Sequence, residues 1–128
     1  MVTGRDKNFL AMARYMCRKS NGKHTHGAVL MRAGRVLGTG FNRTRNHPSV
    51  VSEEHILLGC SIHAEEMAIK DANFLAKGAT LYVARVNRKG EDRDSKPCER
   101  CQVLIEKVGI KKVIYTTSYG VIYPDGEN

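Results

Sequence analysis

Residues 63–101 read HAEEMAIKDANFLAKGATLYVARVNRKGEDRDSKPCERC. Apolar residues recur in this stretch at helical spacing, which predicts one helix from His63 to about Ala76 and a second from Cys98 to Val108. A strand over residues 79–86 and an almost wholly polar, exposed loop over residues 87–96 connect the two helices. Each helix therefore begins with a short run of metal-binding or ionisable side chains.

Glycine and proline mark the ends of these two helices. The Lys77-Gly78 pair predicts the end of the first helix, and Gly109 predicts the end of the second. Pro97 suits the start of the second helix because its missing N–H group has no intrahelical partner there.

The N-terminal third predicts a helix and a hairpin. A helix is expected from Thr3 to about Ser20, where the Asn21-Gly22 pair stops it. Two strand-like runs follow, Gly27 to Arg32 and Arg35 to Phe41, and the Ala33-Gly34 pair between them favours an antiparallel hairpin.

Residues 43–62 show no convincing period and contain Pro48. A connection of this length in a compact domain usually marks a functional loop, within which a short helix near Val51 to Leu58 is an option. Two strands, Lys112 to Thr117 and Val121 to Tyr123, finish the chain around a turn. The order of elements predicts one α/β domain over residues 1–128, with a central sheet of about five strands covered by helices.

Composition agrees with a soluble domain. The chain has 128 residues, of which 41% are apolar and 27% charged. No run approaches the eighteen or so apolar residues of a membrane span, and the first thirty residues lack a secretory apolar core, which predicts a cytoplasmic protein without a membrane partner. The net charge of +8 suggests polyanionic partners, and residues 1–26 hold six basic residues against one acidic residue.

The two helix starts carry a metal-ligand set. His63, Cys98 and Cys101 supply one imidazole and two thiolates, which suit one Zn²⁺ per chain. Three protein ligands leave a fourth position for water, whose pKa zinc lowers to roughly 7. Glu65 lies two residues beyond His63, where it is expected to act as the catalytic acid and base. Glu66 is interpreted as a solvated charge.

The pattern H-x-E followed by P-C-x-x-C is the signature of zinc-dependent deaminases. Residues 27–30, 38–42 and 79–83 also resemble the first three strands of the cytidine and deoxycytidylate deaminase superfamily. The resemblance implies a three-layer α-β-α cytidine deaminase-like fold with a mixed sheet. It also implies that Asn42 contacts the sugar or base of the substrate and that the Ala64 backbone faces the base edge.

The chain differs from parts of that superfamily in two places. Residues 87–96 lengthen a connection that is tight in tRNA adenosine deaminases. The strand, turn and strand over residues 112–123 stand where deoxycytidylate and polynucleotide deaminases usually place a helix before a parallel last strand.

The leading functional hypothesis is hydrolytic deamination of cytosine in a small nucleotide, dCMP or CMP. Arg43 and Arg45 follow Asn42 directly and are candidates for binding the nucleotide phosphate. The basic first helix leaves open a polynucleotide deaminase acting on single-stranded DNA or RNA, although the chain has no Trp, three Phe and five Tyr for base stacking.

A non-catalytic alternative is a closed structural zinc module in which Cys60 is the fourth ligand. His47 and His55 are further candidates for a pocket wall or a second metal. The superfamily commonly assembles into dimers, tetramers or hexamers, and a homo-oligomer is expected here because the apolar residues within 49–62 are hard to bury in one subunit.

Overall fold

The computed structural model describes residues 4–19, 25–44 and 61–122. Within these ranges the chain forms three helices and seven strands. In chain order they are α1 (Gly4–Cys17), β1 (His26–Arg32), β2 (Arg35–Phe41), β3 (Arg43–Thr44), β4 (Ser61–Ile62), α2 (Ala64–Asp71), β5 (Thr80–Arg85), α3 (Glu99–Val108), β6 (Lys112–Thr117) and β7 (Gly120–Ile122).

Five of the strands form one mixed sheet in the order β2-β1-β5-β6-β7. β1 is antiparallel to both β2 and β5, β5 is parallel to β6, and β7 returns antiparallel to β6. β3 and β4 form a separate antiparallel pair, in which Arg43 lies opposite Ile62.

Helices cover both faces of the sheet. Successive residues of a strand point to opposite faces, and β1 has buried apolar residues on both. Ala28 and Leu30 of β1 face a core that includes residues of α2 and α3. Val29 and Met31 face a second core built with α1. The described residues therefore form three layers, α-β-α, as the sequence predicts.

Two glycines of β2 allow α2 to lie directly against the sheet. A Cβ atom at Gly38 would overlap the carbonyl oxygen of Ala68, and one at Gly40 would overlap the carbonyl oxygen of Ala64. The Gly40 contact sets the height of the first turn of α2 above the sheet, and the neighbouring residues of that turn carry the candidate chemistry.

Substituting Gly40 with Ala is expected to lower the free energy of unfolding by about 1–3 kcal/mol, because the added methyl group forces α2 away from β2. Urea denaturation measures this change. Gly4→Ala is the matched control, since a Cβ atom at Gly4 has open space around it. That control is expected to leave stability unchanged or to raise it by up to about 1 kcal/mol. Equal losses in both variants would contradict the close approach.

Two predicted helix ends are wrong. α1 ends at Cys17, before the predicted Ser20. α2 ends at Asp71 and not near Ala76, because Asn73 and Phe74 adopt positive φ angles of 56° and 62°, which the right-handed helix does not allow. The predicted start of the last helix is confirmed, because Cys98 is the N-cap of α3 and Pro97 directly precedes it.

The other predicted elements are largely confirmed. The β1–β2 hairpin, the Gly109 end of α3 with φ 81°, and the antiparallel β6–β7 hairpin are all present. The loop over residues 87–96 is only partly exposed, because Val86 pairs with Asp92 and Ser95 is fully buried. β3 and β4 lie in a stretch predicted to be loop, and the predicted helix over residues 51–58 lies outside the described residues.

Over the described ranges, no helix combines the length and the apolar character needed to cross a membrane.

Candidate active site

The starts of α2 and α3 bring the three predicted ligands together. His63 is the N-cap of α2 and Cys98 is the N-cap of α3, and both have extended backbones. Cys101 lies three residues beyond Cys98, a spacing that places both thiols on the same side of the helix start.

The donor atoms of these residues form a compact triangle. His63 Nδ1 lies 3.2 Å from Cys101 Sγ and 3.5 Å from Cys98 Sγ, and all three donor atoms lie within 4.8 Å of one another. Tetrahedral zinc with ordinary bond lengths requires N···S separations of about 3.6 Å. Both the donor types and their spacing therefore fit a zinc ion.

Burial differs among the three ligands and leaves one side of the triangle open. Cys101 is 1% exposed, His63 is half-buried and Cys98 is exposed. Because Cys101 is buried and Cys98 is exposed, a molecule from solvent can reach the metal position from the side of Cys98.

Glu65 is buried beside this triangle, with 4% of its surface exposed. Burial raises the pKa of its carboxyl group to about 7, and the charge of Glu66 adds to the rise. A hydrogen bond from Cys101 and the charge of Arg100 act in the opposite direction. Burial, together with the charge of Glu65, also raises the pKa of the Cys101 thiol above its ordinary value.

Glu66 and Arg100 connect the two helix starts. Glu66 Oε1 accepts a hydrogen bond from the His63 backbone N–H at 3.2 Å and one from Arg100 Nη2 at 2.7 Å. Arg100 stands between the two cysteines in the sequence, so this ion pair holds His63 close to both thiols. The interpretation of Glu66 as a solvated charge is wrong. Its position three residues after the His63 N-cap, the spacing of a capping box, was the available signal.

A buried polar network fixes the approach to Cys98, and the sequence reasoning missed it. The Ser95 backbone N–H donates to Thr116 O at 2.9 Å, and Ser95 Oγ lies 3.0 Å from Val83 O. The Thr116 N–H donates to Ser95 Oγ at 2.8 Å. These bonds tie the residues before Pro97 to the ends of β5 and β6.

The predicted substrate-binding residues are only partly described. Asn42 follows β2 and donates its backbone N–H to His26 O at 3.0 Å. Ala64 is fully buried at the start of α2, below Gly40. Arg43 belongs to β3. Other candidates lie outside the described residues: Arg45, His47, His55 and Cys60.

Comparison with known proteins identifies the class. Residues 3–117 match the family described as cytidine and deoxycytidylate deaminase zinc-binding region. The chain is 33% identical to deoxycytidylate deaminase of Schizosaccharomyces pombe over 91% of its own length and 38% of that protein. It is 30% identical to the riboflavin biosynthesis protein RibD of Aquifex aeolicus over 91% of its own length and 29% of that protein.

A solved structure shows the same fold. The apo form of dCMP deaminase from the cyanophage S-TIM5 superposes with a TM-score of 0.69 at 22% identity, covering 90% of this chain and 84% of that one. The same phage enzyme has also been solved in complex with dCMP and dUMP.

These matches confirm the predicted resemblance and the cytidine deaminase-like fold. The chain belongs to the cytidine and deoxycytidylate deaminase family. It spans less than two fifths of the length of the two curated relatives.

Proposed function

We propose that this domain catalyses the hydrolytic deamination of cytosine to uracil in a small nucleotide, dCMP or CMP, with release of ammonia. The observation that carries the proposal is the convergence of His63 Nδ1 and the Cys98 and Cys101 sulfurs beside the buried Glu65. Membership of a deaminase family supports assigning this arrangement to that reaction.

The three ligands would hold one Zn²⁺ per chain, which when bound activates a water molecule for attack on the base. Glu65 is not one of the three ligands, so its carboxylate is available for proton transfer. We assign it to take a proton from the attacking water and deliver it to the ring nitrogen, and then to move the proton of the added hydroxyl group to the amine, which departs as ammonia. Burial raises the pKa of Glu65 in the metal-free chain to about 7, and the charge of a bound zinc ion would lower it, which would favour the carboxylate that accepts the water proton.

Substrate contacts are proposed at the edge of the sheet where β2 ends. Asn42 lies two residues beyond Gly40, and Gly40 packs against the first turn of α2. This places Asn42 and the Ala64 backbone at one edge, in keeping with contacts to the sugar and the base. Arg43 and Arg45 follow in sequence and are assigned to the phosphate.

The decisive assay measures uracil formation from dCMP, CMP, the free nucleoside and a cytosine-containing oligonucleotide. We expect turnover of at least one mononucleotide. Turnover of the oligonucleotide with inertness toward both mononucleotides would overturn the proposal in favour of a polynucleotide deaminase. A solved structure of a diaminohydroxyphosphoribosylaminopyrimidine deaminase from Thermotoga maritima, 28% identical to this chain with a TM-score of 0.57, supports a phosphoribosylated aminopyrimidine as a second candidate substrate.

Arg100→Gln is expected to weaken zinc binding by about 10–100-fold, because partners that orient a metal ligand typically contribute that much to metal affinity. The substitution removes the ion pair that holds Glu66, and through it His63, near the thiols. Competition with a chelator of known affinity measures the change. Arg93→Gln is the matched control, since the Arg93 side chain forms a more exposed pair with Glu91 and donates to the Asp92 carbonyl, and neither partner is one of the proposed ligands. Equal zinc affinity in the two variants would contradict this role.

We also propose that the protein is a homo-oligomer. Large apolar side chains that are more than half exposed support this proposal, namely Phe74, Leu75 and Val103. Sedimentation is expected to give a species larger than the 14.3 kDa chain, and a monomer at micromolar concentration would overturn the proposal. The single domain over residues 1–128 and the cytoplasmic location stay predictions.

A further inference from the structure

A basic cleft lies at the end of the sheet opposite the candidate active site. Four cationic side chains line it, Arg5, Arg32, Lys111 and Lys112, and its volume is about 290 Å³. Thr80 at the start of β5 also lines the cleft, whereas the Ser95 network that leads to Cys98 bonds to Val83, further along the strand. The six residues of β5 extend about 17 Å from the cleft toward the active-site end.

The four cations come from three separate parts of the chain. Arg5 belongs to the first turn of α1, Arg32 ends β1, and Lys111 and Lys112 stand at the start of β6. Folding therefore concentrates positive charge that is dispersed in the sequence. Like charges brought together in a small cleft repel one another, and a bound anion relieves that repulsion.

Hydrogen bonds to backbone carbonyls fix part of this cationic lining. Arg32 Nη1 donates to Lys77 O at 3.0 Å, and the Lys111 backbone N–H donates to Ala79 O at 2.8 Å. The Arg5 guanidinium lies over Gly34, in the turn between β1 and β2. The Arg32 guanidinium is thus held at the cleft before any ligand binds, which lowers the entropy that this group loses when it binds an anion.

Acidic residues are few in the lining of the cleft. Among the described residues, no carboxylate forms an ion pair with Arg5, Arg32 or Lys111. The acidic residue that lines the cleft is Asp6, which is 7% exposed and accepts a 2.6 Å hydrogen bond from the Tyr82 hydroxyl. Four cations and one carboxylate leave the lining with a net charge of +3.

We propose that the basic cleft is a binding site for a small phosphate-bearing anion, separate from the deaminase site. Two guanidinium groups match phosphate oxygens in bidentate geometry, and two ammonium groups add compact positive charge. The volume of about 290 Å³ lies just below the roughly 300–1,000 Å³ found for pockets that bind drug-sized ligands, a size suited to a short phosphate chain.

The test is isothermal titration of the full chain with inorganic tripolyphosphate at low ionic strength. We expect saturable binding of one anion per chain, weakened about tenfold or more in the double variant Arg32→Gln/Lys111→Gln. Arg88→Gln/Lys89→Gln is the control, because it removes the same charge from exposed positions in the loop after β5. It is expected to retain wild-type affinity.

A parallel titration with ATP shows whether the cleft binds a free phosphate chain or a nucleotide. Equal affinity for ATP and tripolyphosphate indicates that the phosphate chain alone is bound, and tighter ATP binding indicates that the nucleoside is also contacted.

Equal weakening of tripolyphosphate binding in the cleft and control variants, or no saturable binding, would overturn the proposed site. Binding of an RNA oligonucleotide without binding of tripolyphosphate would overturn it in favour of a polynucleotide surface. Thermal unfolding of each variant, and the single variant Lys111→Gln, separate loss of binding from loss of folding.

Discussion

Glu65→Gln is expected to lower the turnover of the proposed deamination by about 10²-fold or more while one zinc stays bound per chain. Gln keeps the shape of the side chain but cannot accept a proton, so it removes proton transfer and little else. The fold is expected to tolerate the change, because a neutral amide replaces a carboxyl group whose pKa burial has already raised to about 7. Initial rates of uracil formation, together with elemental analysis of the same preparation, measure both parts of the prediction.

Glu106→Gln is the matched control for this experiment. It makes the same chemical change at an exposed position of α3, and it is expected to retain wild-type turnover. Full activity in Glu65→Gln would contradict the assignment of Glu65 as the catalytic acid and base and would favour the structural zinc module. Loss of zinc in Glu65→Gln would show instead that the carboxylate holds the metal centre together.

The candidate site could be predicted from sequence because its chemistry is local. His63 and Glu65 lie within three residues, and Cys98 and Cys101 lie within four, so each half is visible as a short motif at a helix start. The β1–β2 hairpin was predictable for the same reason, since the Ala33-Gly34 turn directly joins the two strands.

Contacts between distant residues could not be predicted in this way. Glu66 and Arg100 are 34 positions apart, and nothing near either residue indicates the other. Ser95 reads as part of a polar loop, yet it is buried because it satisfies backbone groups of β5 and β6. Only the folded chain brings these partners together.

The predicted end of α2 is wrong for a different reason. Apolar residues continue at helical spacing to Ala76, but the backbone leaves the helix after Asp71. Asn73 tolerates the left-handed conformation, whereas Phe74 adopts it although bulky residues rarely do. Periodicity records which residues face the core, and Ala76 does face it, so a buried residue after the helix is read as helical.

Replacing Cys101 with Ala is expected to abolish zinc binding and turnover together. Cys101 is the most deeply buried of the proposed ligands, and its sulfur lies 3.2 Å from His63 Nδ1, at the closed side of the triangle. Its removal leaves two protein ligands, one of which, Cys98, is exposed. Zinc content is expected to fall from one per chain to near zero after dialysis, and turnover is expected to fall with it.

Cys17→Ala is the control that separates loss of a ligand from loss of a buried thiol. Cys17 is equally buried, but its sulfur contacts the carbonyl oxygens of Ala13 and Ala84, on the other face of the sheet. Among the described residues, the cluster of side chains that could hold a metal ion comprises His63, Cys98 and Cys101, so the Cys17 thiol is not expected to contribute to zinc binding. The Cys17 variant should therefore keep one zinc per chain and full turnover, with a stability loss of about 1 kcal/mol. Retention of zinc and activity by the Cys101 variant would refute the proposed ligand set, since no deaminase mechanism built on these three residues survives that result.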